Sequence, residues 1–115
     1  MSGISPESHS AEHLTAVAAL HASIAEASQF LKKLSNPDRL MVVCALVEDE
    51  LSVRQLEDML GIRQPGLSQQ LAELRTAGLI ASRKEGREVF YRIEDPRVRA
   101  FMETMHRLFC APGHD

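Results

Sequence analysis

Two residues of this 115-residue chain have a clear capacity for covalent chemistry, Cys44 and Cys110. A thiolate attacks a persulfide or another sulfur electrophile, and a second thiol resolves the product. Two thiols are therefore the minimum set for a reversible sulfur switch. No CxxC or CxC spacing is present, and a reducing compartment keeps such cysteines as thiols. His106 and Arg107 lie four and three residues before Cys110, so on a helix both sit near its sulfur and favour thiolate. A helix C-terminus opposes this by about 0.3–1 kcal/mol. Cys44 falls within the apolar run MVVCALV, where residue type alone favours a small buried hydrophobe.

A second set of residues suits recognition rather than reaction. Gln64, Gly66, Ser68, Gln69 and Gln70 are short or polar, and they cluster at the start of a helical segment whose apolar residues are Leu67, Leu71 and Leu74. Such donors and acceptors match the edges of base pairs in a major groove, and Gly66 permits close backbone approach. Arg63 and Arg75 flank them, and Arg83, Lys84 and Arg87 follow in a strand-like stretch, placed for phosphates or a minor groove. The net charge of −3 conceals this distribution. Residues 63–92 hold six basic and three acidic side chains, and the rest of the chain is acidic. Singly, a Ser-Gln-Gln run or a basic hairpin is a solvated surface; in one ordered block they indicate DNA binding.

The elements that must position these residues follow from periodicity and capping. The polar first dozen residues read as a flexible arm, with a folded domain over 13–111 and a short tail over 112–115. Leu14, Val17, Leu20, Ile24, Leu31 and Leu34 give a first helix over 13–34. Asn36 caps a second from Pro37 to about Glu48, with Leu40, Val43, Cys44 and Val47 as its apolar face. Ser52 and Gln55 form a capping box for a third, with Leu56, Met59 and Leu60 inward and Gly61 as its stop. Pro65 starts a fourth helix, which Ala77-Gly78 closes. Residues 79–84 and 88–93 alternate as strands about a Glu85-Gly86 turn. Asp95 caps a last helix from Pro96 bearing Val98, Phe101, Met102, Met105 and Phe109, and Ala111-Pro112-Gly113 ends it. The fold class is mainly α with a small β-hairpin: a winged helix-turn-helix of five helices and a two-stranded wing.

Function classes are excluded as well. The chain has neither a membrane-length apolar run nor a signal-peptide-like start, which predicts a cytoplasmic protein. No nucleophile–base pairing, phosphate loop or pocket-forming carboxylate pair is legible, so no enzyme is expected.

The segments LSNPDRLMVV (34–43), LSVRQLEDMLGIRQPGLSQQLAELRTAGLI (51–80) and SRKEGREVFYRI (82–93) resemble the ArsR/SmtB family of small winged-helix repressors, over roughly residues 30–110. The resemblance implies a homodimer built from the first and last helices, double-stranded operator DNA as partner, and release when an inducer binds. The family's metal sites do not carry over. A CxC in the second helix is reduced to Cys44, and the last-helix site falls on Ile93, Asp95, His106 and Phe109, two of which cannot coordinate. No metal or other cofactor is expected. Cys44 and Cys110 instead match the two cysteine positions of the sulfide- and persulfide-responsive SqrR/BigR-type subgroup. That match implies reactive sulfur species as inducer and these two thiols as the redox-sensing pair. Three alternatives remain: a metal sensor using His9, His13 or His21 with Cys110, a general-oxidant sensor of the same family, and a constitutive DNA-binding regulator with inert thiols.

Overall fold

Asn36 shows how local chemistry sets the framework. Its side-chain oxygen accepts from the amides of Asp38 and Arg39 at 2.9 and 3.2 Å, and Pro37 occupies the first turn, where no amide donor is required. The computed structural model describes residues 10–110. Among them the order is α1 (Ala11–Leu34), α2 (Pro37–Leu46), β1 (Leu51–Ser52), α3 (Val53–Leu60), α4 (Gly66–Thr76), β2 (Ile80–Glu85), β3 (Glu88–Ile93) and α5 (Pro96–Phe109). None of these helices is long and apolar enough to cross a membrane.

The chain divides into two compact units, residues 1–32 and 33–115. The first contributes most of α1. That helix begins at Ala11 rather than His13, because the Ser10 hydroxyl accepts from the His13 amide at 3.0 Å and caps the opening turn. Residues 1–9 of the expected arm, and the tail, lie outside the described residues. Leu14, Val17, Leu20, Ile24 and Leu31 of α1 are exposed, from 47% at Leu14 to 63% at Leu20, whereas Leu34 at its end is buried.

The second unit packs around Val42, Val43 and Leu46 of α2, Leu56 of α3, Leu67, Leu71 and Leu74 of α4, Ile80 of β2, and Val98 and Met102 of α5. Each such side chain contributes about 1.5–3 kcal/mol by leaving water. Three expected core positions are corrected. Cys44 is exposed, because α2 turns Val42, Val43 and Leu46 inward and Cys44 falls outside that arc. Met59 is 60% exposed and Phe109 is 73% exposed, at the outer ends of short amphipathic helices. Helix α2 also ends at Leu46, two residues before Glu48.

The β2–β3 hairpin forms the expected two-stranded wing, and a third strand that the sequence did not show, β1, joins its sheet. β1 pairs antiparallel with β3 through Leu51–Tyr91 and Ser52–Phe90, giving the order β1-β3-β2. Two residues carry too little alternation to read as a strand, and here the partner edge decides. Ser52 serves both elements. It is 2% exposed in the sheet, and it completes the expected capping box with Gln55 through bonds of 2.8 and 3.1 Å. Strand β2 runs through Glu85, which pairs with Glu88, so the turn is Gly86-Arg87 rather than Glu85-Gly86. Gly86 adopts φ +63°, a conformation that other residues rarely take. The Leu79 carbonyl accepts from Glu94 and Asp95 at 3.0 and 3.3 Å, and so fastens the entry of α5 to the start of the hairpin.

Candidate functional site

Helix α4 presents two unlike faces. Leu67, Leu71 and Leu74 are at most 1% exposed, while Ser68 and Gln69 stand in solvent. The helix begins at Gly66, with Pro65 flanking it. Gln64 caps this end: its side-chain oxygen accepts from the Ser68 amide at 3.0 Å, and its amide nitrogen donates to Glu57 of α3 at 2.9 Å. Gln64 thereby links the end of α3 to the start of α4. Gln70 is also committed, accepting from Arg39 Nε at 2.8 Å. Arg39 further binds Glu73 and the Lys33 carbonyl, so one guanidinium on α2 holds the middle of α4. Of the expected base-reading set, Ser68 and Gln69 are open, Gly66 is half-buried in the first turn, Gln64 is exposed but bonded to Glu57 and the Ser68 amide, and Gln70 is half-buried and bonded to Arg39.

The basic residues divide in the same way. Arg63 and Arg75 are exposed at the two ends of α4. Arg83 is exposed but paired: it binds Glu50 at 2.8–3.0 Å and Glu85 at 2.6 Å, and its guanidinium lies 4.8 Å from the centre of the Phe90 ring. The hydrogen bond from Arg83 holds the Glu50 carboxyl below the usual carboxylate range, and Glu50 and Glu85 push the guanidinium up in return. Lys84 and Arg87 are exposed and make no ion pair among the described residues. Arg87 faces Arg54 across a groove of about 360 Å³ between α3 and the wing, which Glu57 and Glu88 also line. Arg54, Arg39 and Glu50 were not singled out from sequence. An arginine in the first turn of the third helix was the available signal for Arg54, whereas the partners of Arg39 and Glu50 lie more than thirty residues away.

Both cysteines are exposed free thiols. Cys44 opens into a cavity of about 290 Å³ between α2 and α5, lined also by Val47, Glu48, Met102, Glu103 and His106. Arg99 of α5 donates to the Val47 carbonyl and ties the two helices together at this edge. Cys110 caps the end of α5, with its amide donating to the His106 carbonyl at 2.7 Å. His106, expected beside Cys110, therefore also lines the Cys44 cavity, one helical turn before the second thiol. Among the described residues no group of three or more His, Cys, Asp or Glu is placed to hold a metal, and His9 lies outside them.

Comparison with known proteins gives concordant matches. The family model described as bacterial regulatory protein, arsR family, matches residues 36–82. The biofilm growth-associated repressor of Agrobacterium fabrum is 45% identical over 87 residues, 76% of this chain and 74% of that protein. The transcriptional activator HlyU of Vibrio cholerae is 44% identical over 86 residues, 75% and 80% of the two chains. The solved structure of reduced HlyU from the same organism superposes with a TM-score of 0.75 at 42% identity, covering 79% of this chain and 96% of that one.

Proposed function

The chain belongs to the arsR family of bacterial regulatory proteins, and from that membership we propose that it is a homodimeric repressor that releases operator DNA when reactive sulfur modifies or links Cys44 and Cys110. Its place of action is the cytoplasm, where operator DNA and reduced thiols coexist. The observation that carries the reading is the exposed Cys44 thiol, which opens between α2 and α5 into a cavity that His106, one helical turn before Cys110, also lines.

In this reading Ser68 and Gln69 meet base edges from the first turns of α4, and Gly66 lets that turn approach closely. Gln64 and Gln70 hold the helix at its angle, and they reach bases only by exchanging their internal partners. Arg63, Arg75, Lys84 and Arg87 meet phosphates, and Arg83 supports the wing that carries the last two.

The switching step balances as follows. Cys44 thiolate attacks the terminal sulfur of a persulfide, forming a cysteine persulfide and expelling the carrier thiolate. Cys110 thiolate then attacks the Cys44 sulfur, forming a disulfide and expelling hydrosulfide. Two thiols are oxidised, one sulfane sulfur is reduced to sulfide, and the two thiol protons leave on the carrier thiol and hydrogen sulfide. The bond joins α2 to α5. Because Arg39 couples α2 to α4, a shift of α2 displaces the recognition helices of both protomers from paired half-sites, which favours the DNA-free population.

The test is operator affinity of Cys44→Ser and Cys110→Ser before and after treatment with an organic persulfide. Both variants should bind operator as the unmodified protein does and stay bound after treatment. Normal release by either variant contradicts the mechanism. The reduced state specified for the solved HlyU favours a second reading, in which a general oxidant draws out the same disulfide. Hydrogen peroxide acting at lower dose than persulfide would select it.

A further inference from the structure

We propose that the cavity between α2 and α5 is a charge-selective entry site that brings small uncharged electrophiles to Cys44 Sγ ahead of anionic ones. The inference rests on Cys44 being the reacting thiol, as in the preceding reading. Its volume, about 290 Å³, is at the small end of ligand pockets. Val47 and the buried Met102 give it an apolar floor. The polar lining is one thiol, one imidazole and two carboxylates, Glu48 and Glu103. Arg99 of α5 donates to the Val47 carbonyl and is not one of the lining residues, so the lining holds two carboxylates and, among the described residues, neither lysine nor arginine.

Each group then has a task. The apolar floor accepts the carrier side of a small electrophile. His106 takes the Cys44 thiol proton to leave the attacking thiolate, and passes it to the departing carrier thiolate when the S–S bond of an uncharged persulfide breaks. Glu48 and Glu103 repel electrophiles that bear a carboxylate. A full-length protein carrying this gate responds to uncharged, low-molecular-weight sulfane sulfur before it responds to the persulfides of acidic thiols.

The test measures alkylation of Cys44 in a Cys110→Ser protein by iodoacetamide, which is uncharged, and iodoacetate, which is anionic. In both reactions an S–C bond forms and iodide leaves. The ratio of the two rates should exceed that of a small uncharged thiol by about threefold, the scale of two screened surface charges. Glu48→Gln combined with Glu103→Gln should return the ratio to that of the small thiol. His106→Gln should slow both reagents alike and leave the ratio unchanged. Both glutamates are exposed, so their replacement spares the core, and matching unfolding midpoints verify this. A ratio equal to that of the free thiol, or one that survives the double substitution, overturns the gate. If the gate fails while persulfide still releases operator from the unsubstituted protein, the sensor reading stands. If Cys44→Ser still releases, the sensor reading fails on its own account.

Discussion

On the hairpin the exposed Arg83 is paired with Glu50 and Glu85 and lies over Phe90, whereas the next residue, Lys84, and Arg87 at the turn make no ion pair among the described residues. The same division runs through α4, where Gln70 is bound by Arg39 and Gln69 beside it is open. Residue types are nearly identical within each pair. What separates them is whether a partner arrives from another element. Groups with internal partners tie the helix and the wing to neighbouring elements, and groups without them are the ones the proposed function assigns to DNA. A positive charge count therefore overstates the binding surface unless the engaged cations are removed from it.

The comparison can be broken in several places. The largest effect is expected on the inward face of α4: Leu71→Ala should cost about 2–5 kcal/mol of unfolding free energy by denaturant titration, since its side chain is 1% exposed. Gln69→Ala, on the outward face, should leave stability within about 0.5 kcal/mol. It should weaken operator binding by about 1–3 kcal/mol and relax preference at one base pair, read from a panel of single-substituted operators. At the wing, Lys84→Ala with Arg87→Ala should lower the slope of log affinity against log salt by about 2, without altering sequence preference. Arg83→Ala should instead reduce stability and perturb wing geometry, with a smaller change in salt slope. If Arg83→Ala matched the double variant in slope and kept full stability, the division between paired and unpaired cations would collapse.

The smallest effect is a pH dependence. Because the Arg83 hydrogen bond depresses the Glu50 carboxyl in the folded protein, its contribution to stability is present above the ordinary value of 4.5 and is lost as pH falls through the depressed one. Glu50→Gln should remove that part of the acid-limb slope in unfolding titrations between neutral pH and pH 3. An unchanged slope would mean that the pair contributes nothing measurable, as many exposed ion pairs do.

The sequence showed most of the framework because its signals are local. Asn36-Pro37, Ser52 with Gln55, Gly61 and Asp95-Pro96 each announce a helix boundary from adjacent residues, and each boundary is where it was read. The third strand was not legible, since two residues show no alternation and Leu51-Ser52 becomes a strand only beside β3. The exposure of Cys44 was missed for a related reason. An apolar run such as MVVCALV does not say which arc of the helix meets the core, and the packing of α4 and α5 selects Val42, Val43 and Leu46. In the recognition set, residue type identified where polar groups gather and could not tell Gln69 from Gln70, because the difference is Arg39, thirty-one residues away.

The most direct measurement follows operator anisotropy and intact mass on the same sample of reduced full-length protein during titration with an organic persulfide. The account predicts that affinity falls in proportion to a species in which peptide mapping joins Cys44 to Cys110, and that dithiothreitol restores both. Affinity that is lost while the two cysteines remain unlinked and unmodified, or that persists when they are fully linked, would contradict it.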